Sequence, residues 1–392
     1  MFAFFRVSTR HRKLLHTHSP LLMSLDGYAA LRRVADVQLI ADSGVADLYE
    51  LKSPLACGAQ AGCTWAIDRR TGITYALDEK PLAELTPRRK ADLAAAVFAQ
   101  RRIADTPVEI AEELHCARLA LVHEVLLSPK RLVLVTHLAS PASGHLSEAM
   151  TIGASAYDTD LMTILEQRGR LAESDARRIF TRIVLATKRA HDCGAVLRNL
   201  KPENVHVRQA ERHGEFEVCL TQLHCAAPVP QDADSDAGTL TGLHGTPEYC
   251  APEVALWYWH ELVPPRLPEP PPMYGPKADV WALGMCLHVM LCGCFPFPSG
   301  DGVEEDELLR TVNAATFTFN DPGWRKVSEE ALDLVGQLLQ RDPLDRPVLE
   351  EVLQHAFCAD ALQEAMLAEA GRSRRGGHDL DKLLAALDGD ES

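Results

Sequence analysis

The chain has 392 residues, 46% of them hydrophobic, a formal net charge of −15 and 11 cysteines. That length and apolar content suit two domains or one large bilobal unit, and the acidic balance excludes a partner whose phosphate backbone must be neutralised by clustered Lys and Arg. The cysteines run from Cys57 to Cys358 without a C-x-x-C pair, which fits a reduced interior better than a disulfide framework.

The first 25 residues carry Arg6, Arg10, Arg12 and Lys13 and no acid before Asp26, a composition that is either disordered or transit-peptide-like. Ser24 to Asp47 suggests a short helical extension, so residues 1–47 are taken as an N-terminal extension. From 48 to 138 the apolar pattern is short and alternating, with one helical stretch between about Pro87 and Leu114. Trp65 to Leu77 predicts two strands joined by a polar turn at Asp68 to Gly72, and Arg131 to Leu138 a further strand. Beyond Asp158 helices dominate. Ser174 is a candidate cap for Asp175 to His191, where Ala176, Ile179, Phe180, Ile183, Thr187 and Ala190 recur at helical spacing. Val205 and Val207 predict a strand paired with Phe216, Val218 and Leu220 across the turn Gln209 to Gly214. A sheet-rich half followed by a helical half is α+β layering. Residues 261–273 form a Pro-rich insert, in which Pro264 to Pro272 favour an extended conformation and offer either an adaptor site or a stiff surface loop. Residues 359–392 form a tail with a helical stretch, a basic Gly-rich linker at Gly371 to Gly377 and an acidic amphipathic end. The most apolar run, Ala282 to Phe297, is too short and too broken by Gly and Pro to span a bilayer.

Gly245 to Glu253 reads G-T-P-E-Y-C-A-P-E, and its last three residues are the element that closes a protein-kinase activation segment. Leu197 to Asn204 (L-R-N-L-K-P-E-N) is similar to the catalytic loop H-R-D-L-K-P-E-N. Asp279 to Gly284 is similar to the start of the large buried helix, and Asp342 to Pro347 to the segment whose arginine pairs with the A-P-E glutamate. Over about Leu48 to Phe357 the chain thus resembles the eukaryotic Ser/Thr protein kinases, most of all the calcium/calmodulin-dependent group. The resemblance implies a bilobal α+β fold, with a small sheet-rich N-lobe over 48–138 and a larger helical C-lobe over 139–358.

Phosphoryl transfer is mostly positioning and charge neutralisation, so each departure from the family pattern is weighed by the charge it removes. The lysine of the third strand, which would hold the α- and β-phosphates, is Asp78; Lys80 lies two residues on, on the same strand face. The base aspartate is Asn199, a neutral amide, and the preceding His is Leu197. The metal-binding D-F-G is Gln222-Leu223-His224, which leaves Asn204 without its carboxylate partner, and hard cations favour charged oxygens. In the glycine-rich run Ala56 to Gly62 only Gly58 falls in register. The small-lobe glutamate is assigned to Glu109, with Glu112 and Glu113 competing. Glu253, Asp279 and Arg346, which hold the fold in the family, persist, as do Lys201, Arg198 and Thr246.

The losses fall on chemistry and spare structure, which points to a pseudokinase working as a scaffold or allosteric regulator through protein partners, with no ATP or Mg cofactor expected. The alternative is a weak phosphotransferase that uses ATP and Mg through Gly58, Lys80, Lys201 and Asn204. His224 and Cys225 lack the spacing of a transition-metal site. Thr239 and Thr241 are candidate phosphoacceptors able to pair with Arg198. Asp388 to Ser392 resembles the first positions of an EF-hand loop without its turn Gly or bidentate Glu, so calcium regulation would need further sequence. A cytoplasmic location is expected.

Overall fold

The computed structural model describes residues 37–55, 60, 62–106, 116–138, 158–209, 215–229, 238–261, 269–298 and 303–376. Strand β1 (Val37–Leu39) leads into the short helix α1 (Gly44–Leu48) and then β2 (Tyr49–Pro54), β3 (Thr64–Asp68) and β4 (Thr74–Pro81). Helix α2 (Pro87–Asp105) starts where the side chain of Thr86 accepts the Arg89 N–H at 3.2 Å and Pro87 occupies the first turn, which needs no N–H of its own. Strands β5 (Ala117–Leu119), β6 (Val122–Leu127) and β7 (Arg131–His137) follow. Among the described residues all of these but β5 build a six-stranded sheet in the order β1-β6-β7-β4-β3-β2, antiparallel except for the parallel pair β1–β6.

One face of this sheet packs Val125, Leu127, Leu132 and Leu134 against Leu93, Ala94 and Val97 of α2. The other face packs Ala66, Tyr75, Leu77 and Val135 beneath Val45 of α1. In the segment expected as a helical extension, the described residues therefore supply a strand at 37–39 before the short helix α1. Three residues are too few for a period to register, and it is the open edge of β6 that pairs them. The expected helix from Pro87 to Leu114 ends at Asp105, and residues 107–115 lie outside the described ones.

The second half begins with β8 (Asp158–Asp160), α3 (Leu161–Arg168) and α4 (Glu173–Asp192). Helix α4 buries the stripe Ala176, Ile179, Phe180, Ile183, Thr187 and Ala190. It starts before Ser174: Ala172 is the N-cap, and the carboxylate of Glu173 accepts the backbone N–H and hydroxyl of Ser328 at 2.9 and 2.6 Å. A tertiary contact sets that boundary. Next come β9 (Ala195–Val196), β10 (Val205–Gln209), β11 (Phe216–Leu220) and β12 (Ala227–Pro228). Strands β10 and β11 pair antiparallel with Val205 opposite Leu220 and Val207 opposite Val218, as the alternation of apolar residues predicts. Helices α5 (Pro252–Glu261), α6 (Lys277–Cys292), α7 (Glu305–Ala314), α8 (Glu329–Leu338), α9 (Leu349–Gln354) and α10 (Ala356–Gly376) complete the order. The helix α10 runs on through Gly371, where a Gly-rich linker was expected; a glycine costs a helix only about 1 kcal/mol relative to Ala.

Helix α6 is buried at every position, as a helix apolar all round must be. A Cβ on Gly284 would lie 2.8 Å from Leu338 and from Leu339, so α8 approaches α6 at a distance only glycine permits. Beside α6, Arg346 donates to both oxygens of Glu253 at 2.7 Å and to the carbonyls of Lys277, Gln340 and Arg341. Arg346→Ala strands a buried carboxylate and removes the donor to the Gln340 and Arg341 carbonyls, with an expected loss of about 3–5 kcal/mol. Glu253→Ala leaves the guanidinium its carbonyl partners and should cost less. Denaturant unfolding of the two variants checks the order.

Candidate functional site

The loop between β9 and β10 is held from below. Asp279, in the first turn of α6 and 1% exposed, accepts the N–H of Leu197 at 2.7 Å and of Arg198 at 2.8 Å, and its Oδ2 lies 2.8 Å from Nε2 of His191. Gripped at both amides, Arg198 sits at φ +62°, a left-handed conformation that L-residues rarely adopt. Its guanidinium donates to the Cys225 carbonyl at 2.6 Å. Gly245 closes the arrangement: a Cβ there would come within 2.4 Å of the Arg198 carbonyl.

Asn199 faces Thr246, whose hydroxyl donates to its Oδ1 at 3.0 Å, and its backbone carbonyl accepts Nδ2 of Asn204 at 2.9 Å. Asn204 is buried, and its own carbonyl accepts both the N–H and the hydroxyl of Thr221. Lys201 lies 3.9 Å from Glu203. A cavity of about 20 Å³ bounded by Asn199, His244, Thr246 and Asp279 has room for one water and little else. His244 is pushed down to about 4, chiefly by burial and then by the charge of Arg198, so it adds no cation to the site at neutral pH.

In the small lobe, Asp78 on β4 is paired with Lys80 at 2.8 Å across one strand repeat. The carboxylate expected at the lysine position is thus neutralised by Lys80, a group offered as its substitute. Gly58 lies outside the described residues, but the turn that ends the glycine-rich run is held by Gly62 N–H to Leu55 O at 2.9 Å and Leu55 N–H to Cys63 O at 2.7 Å. From that turn Gln60, 7% exposed, donates its amide to the carbonyl of His137 at 3.0 Å, at the end of β7, and reaches the Thr136 hydroxyl at 3.4 Å. Leu55, Cys63 and Ala76, with Trp65 and Leu138 against them, make the apolar wall beside it. Burial pushes the Cys63 thiol up to about 11, against the opposing effects of Lys80 and a hydrogen bond with Gln222.

Gln222, expected at the metal-aspartate position, is left-handed at φ 54° and starts a single 3-10 turn over Leu223–Cys225. Helix α2 reaches this turn through a side chain that sequence reasoning passed over. Gln100 is buried, donates to the Leu223 carbonyl at 3.0 Å and accepts the Val122 N–H at 3.0 Å. It ties α2 to β6 and to the turn with no charge at all. A lone Gln in the run Ala99-Gln100-Arg101-Arg102 gives no signal of this role; Glu109, Glu112 and Glu113 lie outside the described residues. His224 is held below its usual value by burial and then by Lys80, which keeps it neutral. Neither His224 nor Cys225 belongs to a cluster of potential metal ligands among the described residues.

Thr239 and Thr241 are both exposed, and the Thr239 N–H is tied to the Tyr274 carbonyl at 3.0 Å. Of the Pro-rich insert, 262–268 lie outside the described residues, and the Pro272 carbonyl accepts the Trp257 indole N–H at 3.3 Å. Residues 377–392, with the EF-hand-like run, and residues 1–36 also lie outside. Among the described residues no helix is long and apolar enough to cross a membrane.

The Gln100 contacts give a direct expectation. Gln100→Leu removes the acceptor of the Val122 N–H and leaves the Leu223 carbonyl only the Ala226 N–H, and should cost about 1–3 kcal/mol, read by denaturant unfolding. Gln100→Glu keeps the acceptor for Val122 but sets a carboxylate against the Leu223 carbonyl, so it should not rescue.

Comparison with known proteins fits this geometry. The family model described as the protein kinase domain matches residues 100–358. Serine/threonine-protein kinase GE16371 of Drosophila yakuba is 32% identical over 196 residues, which are 50% of this chain but only 23% of that protein. Calcium/calmodulin-dependent protein kinase type 1B of Rattus norvegicus is 27% identical over 314 residues, 80% of this chain and 76% of the relative. Serine/threonine-protein kinase 33 of Mus musculus is 22% identical over 327 residues, 83% of this chain and 57% of the relative. With the A-P-E glutamate bound to Arg346 and the catalytic-loop backbone bound to Asp279, the chain belongs to the eukaryotic Ser/Thr protein kinase family.

Proposed function

We propose that this member of the family is a pseudokinase, a scaffold or allosteric regulator in phosphorylation signalling that acts through protein partners and uses neither ATP nor Mg. The observation that carries the reading is the charge state of the cleft. Asp78 is cancelled by Lys80 at 2.8 Å, Asn199 is a neutral amide engaged by Thr246, and Gln222 stands where a metal carboxylate is needed. A triphosphate placed there gains no net cation from β4, no proton acceptor at 199 and no anionic ligand for a divalent ion at 222. Loss of a general base alone costs about 10²–10⁴-fold, and the other two losses act on the same step. Gln60 adds to this, because a ligand seeking the His137 carbonyl has to displace its amide.

One observation favours weak ATP-dependent transfer as a second reading. Lys80 lies close enough to the cleft to act on both Cys63 and His224. In that case Lys80 or Lys201, with Asn204, would have to carry the phosphates.

Calorimetric titration with ATP, with and without Mg²⁺, separates the two. The expected result is no or very weak binding that the metal does not change. Gln60→Gly, which removes one competing hydrogen bond, should strengthen any residual ATP binding by about 2- to 10-fold and leave it independent of Mg²⁺. Transfer of γ-phosphate to a protein at an ordinary rate of about 1–100 s⁻¹ would overturn the proposal. Slow transfer abolished by both Lys80→Ala and Lys201→Ala would establish the second reading in its place.

A further inference from the structure

We propose that Cys292, Cys294 and Asp321 form a binding site for one thiophilic divalent cation of the Zn²⁺ class, at the end of α6 away from the catalytic loop. The site does not depend on the pseudokinase reading. Asp279 and Cys292 are 13 residues apart on one helix, which puts them about 20 Å apart along its axis.

Backbone constraints bring the ligands together. Cys292 is the last residue of α6, and Gly293 follows at φ 82° with its N–H on the Val289 carbonyl at 2.9 Å. A Cβ on Gly293 would fall 2.2 Å from the Gly169 carbonyl, so the tight reversal admits only glycine. That reversal returns Sγ of Cys294 to 3.3 Å from Sγ of Cys292. Nδ1 of His288 lies 2.9 Å from the Cys294 carbonyl and anchors the far side of the turn. Asp321 arrives from the 3-10 turn Pro322–Lys326, which it caps by accepting the Gly323 N–H at 2.7 Å, and its Oδ1 lies 3.5 Å from Sγ of Cys292. Gly323 is required as well: a Cβ there would sit 2.8 Å from Sγ of Cys292.

The three ligand atoms lie within 4.8 Å of one another. A tetrahedral ion with bonds of about 2.3 Å to sulfur and about 2.1 Å to oxygen spaces two sulfurs about 3.8 Å apart and sulfur from oxygen about 3.6 Å apart. The Cys292 sulfur–Asp321 oxygen distance of 3.5 Å already fits, and the sulfur pair has to open by about 0.5 Å. Cys294 is exposed, so it can make that adjustment and leave the fourth position to water. Two sulfurs and one carboxylate suit a borderline-soft ion better than Mg²⁺ or Ca²⁺. The C-terminal end of α6 adds its partial negative charge. The guanidinium of Arg170 is engaged on the Gly323 carbonyl at 2.5 Å. Binding is not a redox step: each thiol releases its proton to solvent as its sulfur–metal bond forms.

The test uses the full chain, reduced and stripped of metal by a chelator. Zn²⁺ is titrated against a chromophoric competitor, and Cd²⁺ is titrated while the thiolate-to-metal charge-transfer absorption is followed. One ion per chain is expected, with the absorption of two thiolates per Cd²⁺ and a Zn²⁺-dependent rise in melting temperature. Cys294→Ser, at an exposed position that does not threaten the fold, should halve the absorption and weaken binding by at least about tenfold. Asp321→Asn keeps an oxygen for the Gly323 N–H and should also weaken Zn²⁺ binding, with the absorption unchanged. Cys63→Ser, in the other lobe, should bind as the parent does. The proposal is overturned if the reduced chain takes up no metal, if Cys294→Ser binds as tightly as the parent, or if mass spectrometry finds a Cys292–Cys294 disulfide in thiol-containing buffer.

Discussion

Asp279 is a carboxylate buried at the start of a helix buried at every position, and it has to be satisfied. Its two oxygens accept the N–H groups of Leu197 and Arg198, and His191 of α4 completes the set. Burying a charge without partners is prohibitive, so α6, α4 and the loop before β10 can assemble only with this contact made. The left-handed Arg198 and the glycine at 245 are consequences of it. Asn199 and Asn204, which the loop presents, follow the two backbone amides that Asp279 holds.

A second buried charge pair supports the same helix. Arg346 meets Glu253 through two parallel hydrogen bonds and spends its remaining donors on backbone carbonyls, so the guanidinium is satisfied rather than merely neutralised. The cleft follows the opposite rule. Asp78 and Lys80 cancel locally, Gln222 and Gln100 are neutral amides, and Gln60 fills a carbonyl with its own side chain. The large lobe keeps its buried charges in structural pairs, while at the cleft positions 78, 100 and 222 the described residues offer a cancelled pair and two neutral amides. That contrast, in one chain, is what the pseudokinase proposal rests on.

Helix α6 connects these themes. Its first turn grips the catalytic loop, its middle packs against α8 through Gly284, and its last residue brings a thiol to a second thiol and a carboxylate. An ion at the far end would be linked to the loop only through a helix held rigidly along its length.

Much of this was determined by the amino-acid sequence alone. Alternation of apolar residues paired β10 with β11 in register, helical spacing marked the buried stripe of α4, and linear motifs picked out Glu253, Asp279 and Arg346, whose buried contacts the fold makes. Tertiary structure alone decided that 37–39 is a strand, that α4 begins before Ser174, that Gln60 and Gln100 bond to distant backbone, and that Asp321 meets Cys292. Each of those depends on partners tens of residues away: an open strand edge, a serine on another helix, a carbonyl across the cleft. Local periodicity carries no record of such a partner. Only the folded chain brings it within hydrogen-bonding distance.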